Sequence, residues 1–147
     1  MSDEPREESS PLDGEPLVMT PDLQFSVLCD DVRQEGNGKL ILIGLFEAVR
    51  AKMFPVNHPM LFIVNRWRNG VGTFAEVTKL VSANNEKVVE GPEATFTLAS
   101  THTSHTVIHR FPNTLFQAPG TYWVEINLDG GLHRRYPIRL VAEDEAK

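Results

Sequence analysis

Cysteine is almost absent. Cys29 stands alone among 147 residues, which excludes an intrachain disulfide and any thiolate metal cluster. That suits a reducing compartment. Long apolar runs are missing too: the longest, Leu40 to Phe46, is far short of the roughly 20 residues that cross a bilayer as a helix. The first residues show no basic stretch followed by an apolar one, so no secretory signal is read there and a cytoplasmic protein without membrane contact is expected. No segment carries a sustained 3.6-residue apolar period, which argues against amphipathic helices. Basic residues are too few and too scattered to form the positive face that a phosphate backbone requires, so nucleic acid is not an expected partner.

The acidic balance of −6 lies at the two ends. Residues 1–16 hold Asp3, Glu4, Glu7, Glu8, Asp13 and Glu15 against Arg6, and residues 143–147 hold three acids against Lys147. The interval between them is close to neutral. Leu12 is the single large apolar side chain between Ser2 and Pro16, too little to offset the entropy of ordering that segment. The expected organisation is a disordered acidic tail over 1–16, one domain over 17–142 and a short acidic tail over 143–147. With 41% hydrophobic residues, one domain of this size can bury a core unaided.

From Pro21 onward, short apolar runs alternate with turn residues. Gln24 to Cys29 reads as a strand with Phe25, Val27 and Cys29 on one face. Gly36-Asn37-Gly38 turns into Leu40 to Phe46, whose lack of polar alternation reads as a central strand covered on both faces. Residues 47–54 have the only helix-like composition and are expected to make at most one turn, and Pro55 and Pro59 bracket a loop. Met60 to Trp67, Thr73 to Val81, Lys87 to Val89, Ala94 to Ala99 and Thr106 to Phe111 follow as strands, with Asn69-Gly70 and Asn84-Asn85 as turns. In Thr73 to Val81 one side carries Phe74, Glu76, Thr78 and Leu80. The final hairpin joins Thr121–Leu128 to Leu132–Val141 across Asp129-Gly130-Gly131. A three-residue loop with a glycine bulge pairs Leu128 with Leu132, Val124 with Tyr136, Tyr122 with Ile138 and Glu125 with Arg135. That register gathers the apolar side chains on one face and leaves Trp123, Glu125 and Asn127 outside. Eight or nine such strands predict an all-β, two-sheet antiparallel sandwich, immunoglobulin-like or jelly-roll-like. Pro119-Gly120-Thr121-Tyr122 resembles a tyrosine corner.

No catalytic or cofactor motif is present: no glycine-rich phosphate loop, no Gly-x-Ser-x-Gly, no His-Glu-x-x-His. His102, His105 and His109 fall within eight residues, but on a strand His102 and His105 point to opposite faces, and His105 and His109 are about 13 Å apart. They read as surface histidines around a turn, and no metal is expected. Asp30 and Asp31 would raise the Cys29 thiol pKa, the opposite of what a nucleophile needs. Adjacent carboxylates also lack the separation that glycoside hydrolysis requires. An enzyme is therefore not expected. The candidate binding surface is Asn65, Arg66 and Trp67 beside the Asn69-Gly70 turn, together with the outward Trp123, since an aromatic ring flanked by arginine can stack on a sugar, a base or a partner's side chain. The alternative use of Trp67 is to plug one end of the sandwich.

Leu28-Cys29-Asp30-Asp31-Val32-Arg33, Gly38-Lys39-Leu40 with Leu42-Ile43-Gly44, Asn65-Arg66-Trp67, and Pro119-Gly120-Thr121-Tyr122-Trp123-Val124-Glu125 occur here in one chain. Together they resemble a bacterial family of small domains of unknown function, over roughly residues 24–141. The resemblance implies a bacterial, cytoplasmic β-domain and supplies no activity, ligand or catalytic residue. The expected function is non-catalytic: a protein-interaction or scaffold domain that binds another protein or itself as a homodimer. The alternative is a small-ligand or carbohydrate-binding module with an aromatic and arginine rim.

Overall fold

The computed structural model describes residues 17–143, so the two acidic tails expected at 1–16 and 143–147 lie, but for Glu143, outside the described residues. The described chain is all β, with ten strands: β1 (Asp22–Gln34), β2 (Leu40–Phe46), β3 (Ala48–Ala51), β4 (Val56–Arg68), β5 (Gly72–Val81), β6 (Lys87–Glu90), β7 (Ala94–Leu98), β8 (Ser104–Phe116), β9 (Gly120–Leu128) and β10 (Gly131–Ala142). They form two sheets. One runs β2-β1-β4-β8; the other runs β3-β10-β9-β5-β6, with β7 also paired to β5. Every pairing is antiparallel except β3 with β10, which is parallel. This is the expected two-sheet sandwich.

The core follows from alternation. Leu61, Ile63 and Trp67 of β4, Phe74 and Leu80 of β5, and Tyr122, Val124, Ile126 and Leu128 of β9 turn inward and are buried, while their odd neighbours on β9 are half-buried. Trp67 stacks on Phe96 with centroids 5.8 Å apart, and Phe116 meets Tyr122 edge-on at 5.1 Å, both arrangements favoured by the aromatic quadrupole. The Tyr122 hydroxyl donates to the Ala118 carbonyl at 2.7 Å, which is the bond of a tyrosine corner.

Three local expectations change. Residues 48–51 are strand β3, not a helical turn, because their backbone is captured by β10. Val56 to Pro59 belongs to β4, whose ladder with β8 begins at Val56 opposite Phe116, so no loop separates Pro55 from Pro59. Leu40 to Phe46 is an edge strand rather than a central one: among the described residues β2 pairs with β1 alone and leaves Ile41, Ile43 and Leu45 exposed by 41%, 42% and 60%. An apolar run records two apolar faces without recording where the strand stands in its sheet.

The last hairpin also differs at its tip. The turn is the two-residue Asp129-Gly130, both at positive φ, which pairs Leu128 with Gly131 and Leu132 with Asn127. A bulge between Leu132 and Arg134 then absorbs one residue, and beyond it Glu125 faces Arg135, Val124 faces Tyr136 and Tyr122 faces Ile138, as the apolar pattern requires.

Candidate functional site

The inner row of β5 carries a carboxylate. Glu76 is fully buried and accepts from four donors. Trp67 Nε1 reaches Oε1 at 2.9 Å; Thr78 Oγ1 reaches Oε2 at 2.6 Å and Asn65 Nδ2 at 3.2 Å; His109 Nε2 closes on the same Oε2. Asn65 Nδ2 also donates to Thr78 Oγ1 at 2.9 Å. An ionised carboxylate only accepts, so His109 carries a hydrogen on Nε2. Burial alone would raise the Glu76 pKa, but the bonds from His109, Thr78 and Trp67 outweigh it and hold it below the usual glutamate range. The donors on β4 and β8 come from one sheet and the acceptor on β5 from the other, so the cluster ties the two sheets together across the core. Gly91 completes it: its N–H donates to the Thr78 carbonyl at 2.9 Å, and a Cβ there would stand 2.6 Å from His109 Nδ1. With Asn65, Trp67, Glu76, Thr78 and His109 exposed by 4% or less, this is a brace without solvent access.

That placement divides the candidate surface read from Asn65, Arg66, Trp67 and Trp123. Asn65 and Trp67 are fully buried in the brace, so neither ring nor amide is available to stack on a sugar or a base, and Trp67 takes the plugging role. Arg66, between them on the strand, faces the other way into a groove of about 700 Å³ with Phe25, Val64 and Ile108. Trp123 stays outside on β9, half-buried beneath the Arg135 guanidinium, which lies 4.0 Å from its ring centroid and bonds Glu125 at 3.1 Å. The two tryptophans therefore belong to different sheets and opposite sides of one wall, and no rim joins them.

The histidines separate as well. His102 is exposed in the turn before β8, and His105 stacks on Phe96 at 5.1 Å. His109, expected at the surface, is buried because its strand turns it onto Glu76. Among the described residues no group of three His, Cys, Asp or Glu side chains is placed to hold a metal ion. Cys29 is buried, and burial first, then the charges of Asp30 and Asp31, push its thiol pKa up, which makes it a small hydrophobe and a poor nucleophile.

The accessible feature is the free side of β2. Its exposed Ile41, Ile43 and Leu45 alternate along an edge that no described strand pairs, with Lys39 immediately before the strand and Glu47 immediately after it. Beside it a cleft of about 730 Å³ opens between the two sheets, lined by Leu45, Phe46, Ala48, Pro137 and Ile138. Ser26 Oγ and the Tyr136 hydroxyl bridge the sheets there at 2.7 Å, and burial pushes the Tyr136 pKa up to about 12. Edge strands in soluble proteins are ordinarily blunted by charge, proline or covering elements. Between Leu40 and Phe46 β2 carries no charge and no proline, and its departure from extended backbone is Gly44 at a φ of 74°. No helix among the described residues is long and apolar enough to cross a membrane.

Two sheets joined by a buried polar brace, with an apolar open edge, define a β-sandwich domain. A family of unknown function, DUF6941, matches residues 24–141, and the chain belongs to that family. No curated protein matches the chain.

Proposed function

We propose that the domain is a non-catalytic protein-interaction module that pairs an extended segment of a protein partner with the free edge of β2. The observation that carries this reading is the alternating exposure of Ile41, Ile43 and Leu45 on a strand with one unpaired side. Main-chain bonds to such an edge supply affinity, and pockets beside it supply specificity. The apolar cleft next to Leu45 is suited to take a side chain from the added strand. The non-catalytic part of the reading is supported by the chemistry of the polar residues: the buried carboxylate is sealed and saturated with donors, and the lone thiol is held protonated. The setting proposed is the cytoplasm of a bacterial cell, where an unpaired cysteine stays reduced.

The test is affinity capture with the full chain, comparing wild type with an Ile41→Lys, Ile43→Lys variant. These side chains are solvent-exposed, so the variant should keep its fold, which thermal unfolding checks. Chains retained by the wild type, a second copy included, should be lost from the variant. A wild-type domain that retains no chain, or a retained set unchanged by the substitutions, overturns the reading.

A further inference from the structure

We infer that the strand added to β2 is β2 of a second copy of this chain, antiparallel and centred on Ile43. This rests on the edge reading above and adds its occupant and register. Opposed residues in an antiparallel pair share a face, so the exposed odd-numbered residues of one copy must oppose odd-numbered residues of the other. Two-fold symmetry then leaves few centres. Centring on Leu42 sets Lys39 against Leu45, and centring on Gly44 sets Glu47 against Ile41; each opposes a charge to an apolar side chain. Centring on Ile43 sets Ile41 against Leu45 and Ile43 against its own copy, and it brings Lys39, just before the strand, to the end where Glu47 of the other copy stands just after it.

Only that register pairs apolar with apolar along β2 and opposite charges beyond its ends; Ile41–Leu45 and Lys39–Glu47 each occur twice, around a single Ile43–Ile43 contact, because the interface is isologous. Opposite charges and apolar pairs directly across from one another are the combinations that stabilise cross-strand pairing. Lys39 and Glu47 are both exposed and make no ion pair with one another or with any other of the described residues. The product is one continuous sheet of twice four strands. The contact is a single strand on each side, so association is weak and dependent on concentration, as small interfaces are.

Cysteine cross-linking reads the register directly. Opposed Cα atoms in an antiparallel pair lie about 4.5–5.5 Å apart, within disulfide reach. Residues displaced by four positions along the strand are more than about 13 Å apart and are not. Full-length Ile43→Cys should therefore oxidise to a covalent dimer under copper–phenanthroline, whereas Ile41→Cys alone and Leu45→Cys alone should not. An equal mixture of the last two should give the heterodimer. Buried Cys29 serves as the internal control, since the wild type should not cross-link.

In sedimentation equilibrium Lys39→Glu should weaken the wild-type dimer about fivefold or more, and Lys39→Glu with Glu47→Lys should restore it. Cross-linking of Ile41→Cys alone as readily as Ile43→Cys, or a double charge swap as weak as the single one, overturns the register. A wild type that stays monomeric, with Ile43→Cys not cross-linking, overturns the second copy. The edge reading is decided separately: it fails if the wild type captures no chain, or if the lysine substitutions at 41 and 43 leave the captured chains unchanged.

Discussion

At the scale of single residues, the stability of the domain turns on whether Glu76 stays ionised. Four donors converge on its carboxylate. In Glu76→Gln the amide nitrogen would be a fifth donor in a site built for an acceptor, and at pH 7 we expect a loss of about 3 kcal/mol in urea unfolding, the scale of leaving buried donors without their charged acceptor. The pKa of Glu76 is lowered in the folded state. Its contribution is therefore complete above the ordinary glutamate value of 4.5 and is lost as pH falls through the lower folded value. The gap between wild type and variant should thus be full at neutral pH and shrink below about pH 4.5; a gap that grows on acidification would contradict an ionised Glu76. The row that holds this residue is legible in the sequence, since Phe74, Glu76, Thr78 and Leu80 alternate together. Its partners are not. Asn65 lies 11 residues away and His109 lies 33 away, and no period links them. Only the stacking of β4 and β8 over β5 brings them together, which is why an Asn-Arg-Trp run that reads as a surface is half interior.

At the scale of elements, the β9–β10 hairpin shows where pattern and turn chemistry compete. The apolar residues demand that Val124 face Tyr136, and a three-residue loop satisfies that demand in the simplest way. The chain instead takes the tighter Asp129-Gly130 turn and recovers the register with a bulge at its second strand. Asp129 explains the choice. Its backbone N–H donates to the Ala75 carbonyl at 2.7 Å, and its Oδ1 accepts from the Ala75 N–H at 2.8 Å, so β5 holds the turn from the side. That contact is 54 residues distant and invisible to local reading. Asp129→Ala removes the acceptor and places a residue without a side-chain acceptor at a φ of 50°, and should cost about 2 kcal/mol in chemical denaturation. Asp129→Asn keeps an acceptor and tolerates the left-handed backbone, so it should cost less than about 1 kcal/mol. Equal costs would show that neither the Oδ1 bond to Ala75 nor tolerance of the left-handed backbone decides the turn. The same limit governs β2 and β3: composition marks the first as apolar and the second as helix-like, while position in the sheet depends on strands far along the chain.

At the scale of the whole molecule, the two ends of the domain carry unequal weight. Among the described residues strand β10 alone joins β3 to β9, and it reaches back across most of the sequence to do so, with Arg139 opposite Ala48 and Ala142 opposite Ala51. Ile138 and Leu140 on it are 1% and 2% exposed, within the same core as Trp67 and Phe116. A chain ending at Ile138 keeps the first part of the hairpin but loses the parallel ladder, Leu140 and the cover over Val49. The loss approaches the total stability of about 5–15 kcal/mol typical of such a domain, so cooperative unfolding should disappear from its thermal melt. Residues 1–16 differ in kind, because Leu12 is their one large apolar side chain beyond the initiating position and every described strand begins after them. The chain beginning at Leu17 should therefore unfold in urea within about 0.5 kcal/mol of the full chain, as changes away from a core do. A substantial loss on that deletion would mean that the acidic segment binds the sandwich, and a cooperative melt for the chain ending at Ile138 would mean that the sandwich closes without its parallel strand pair.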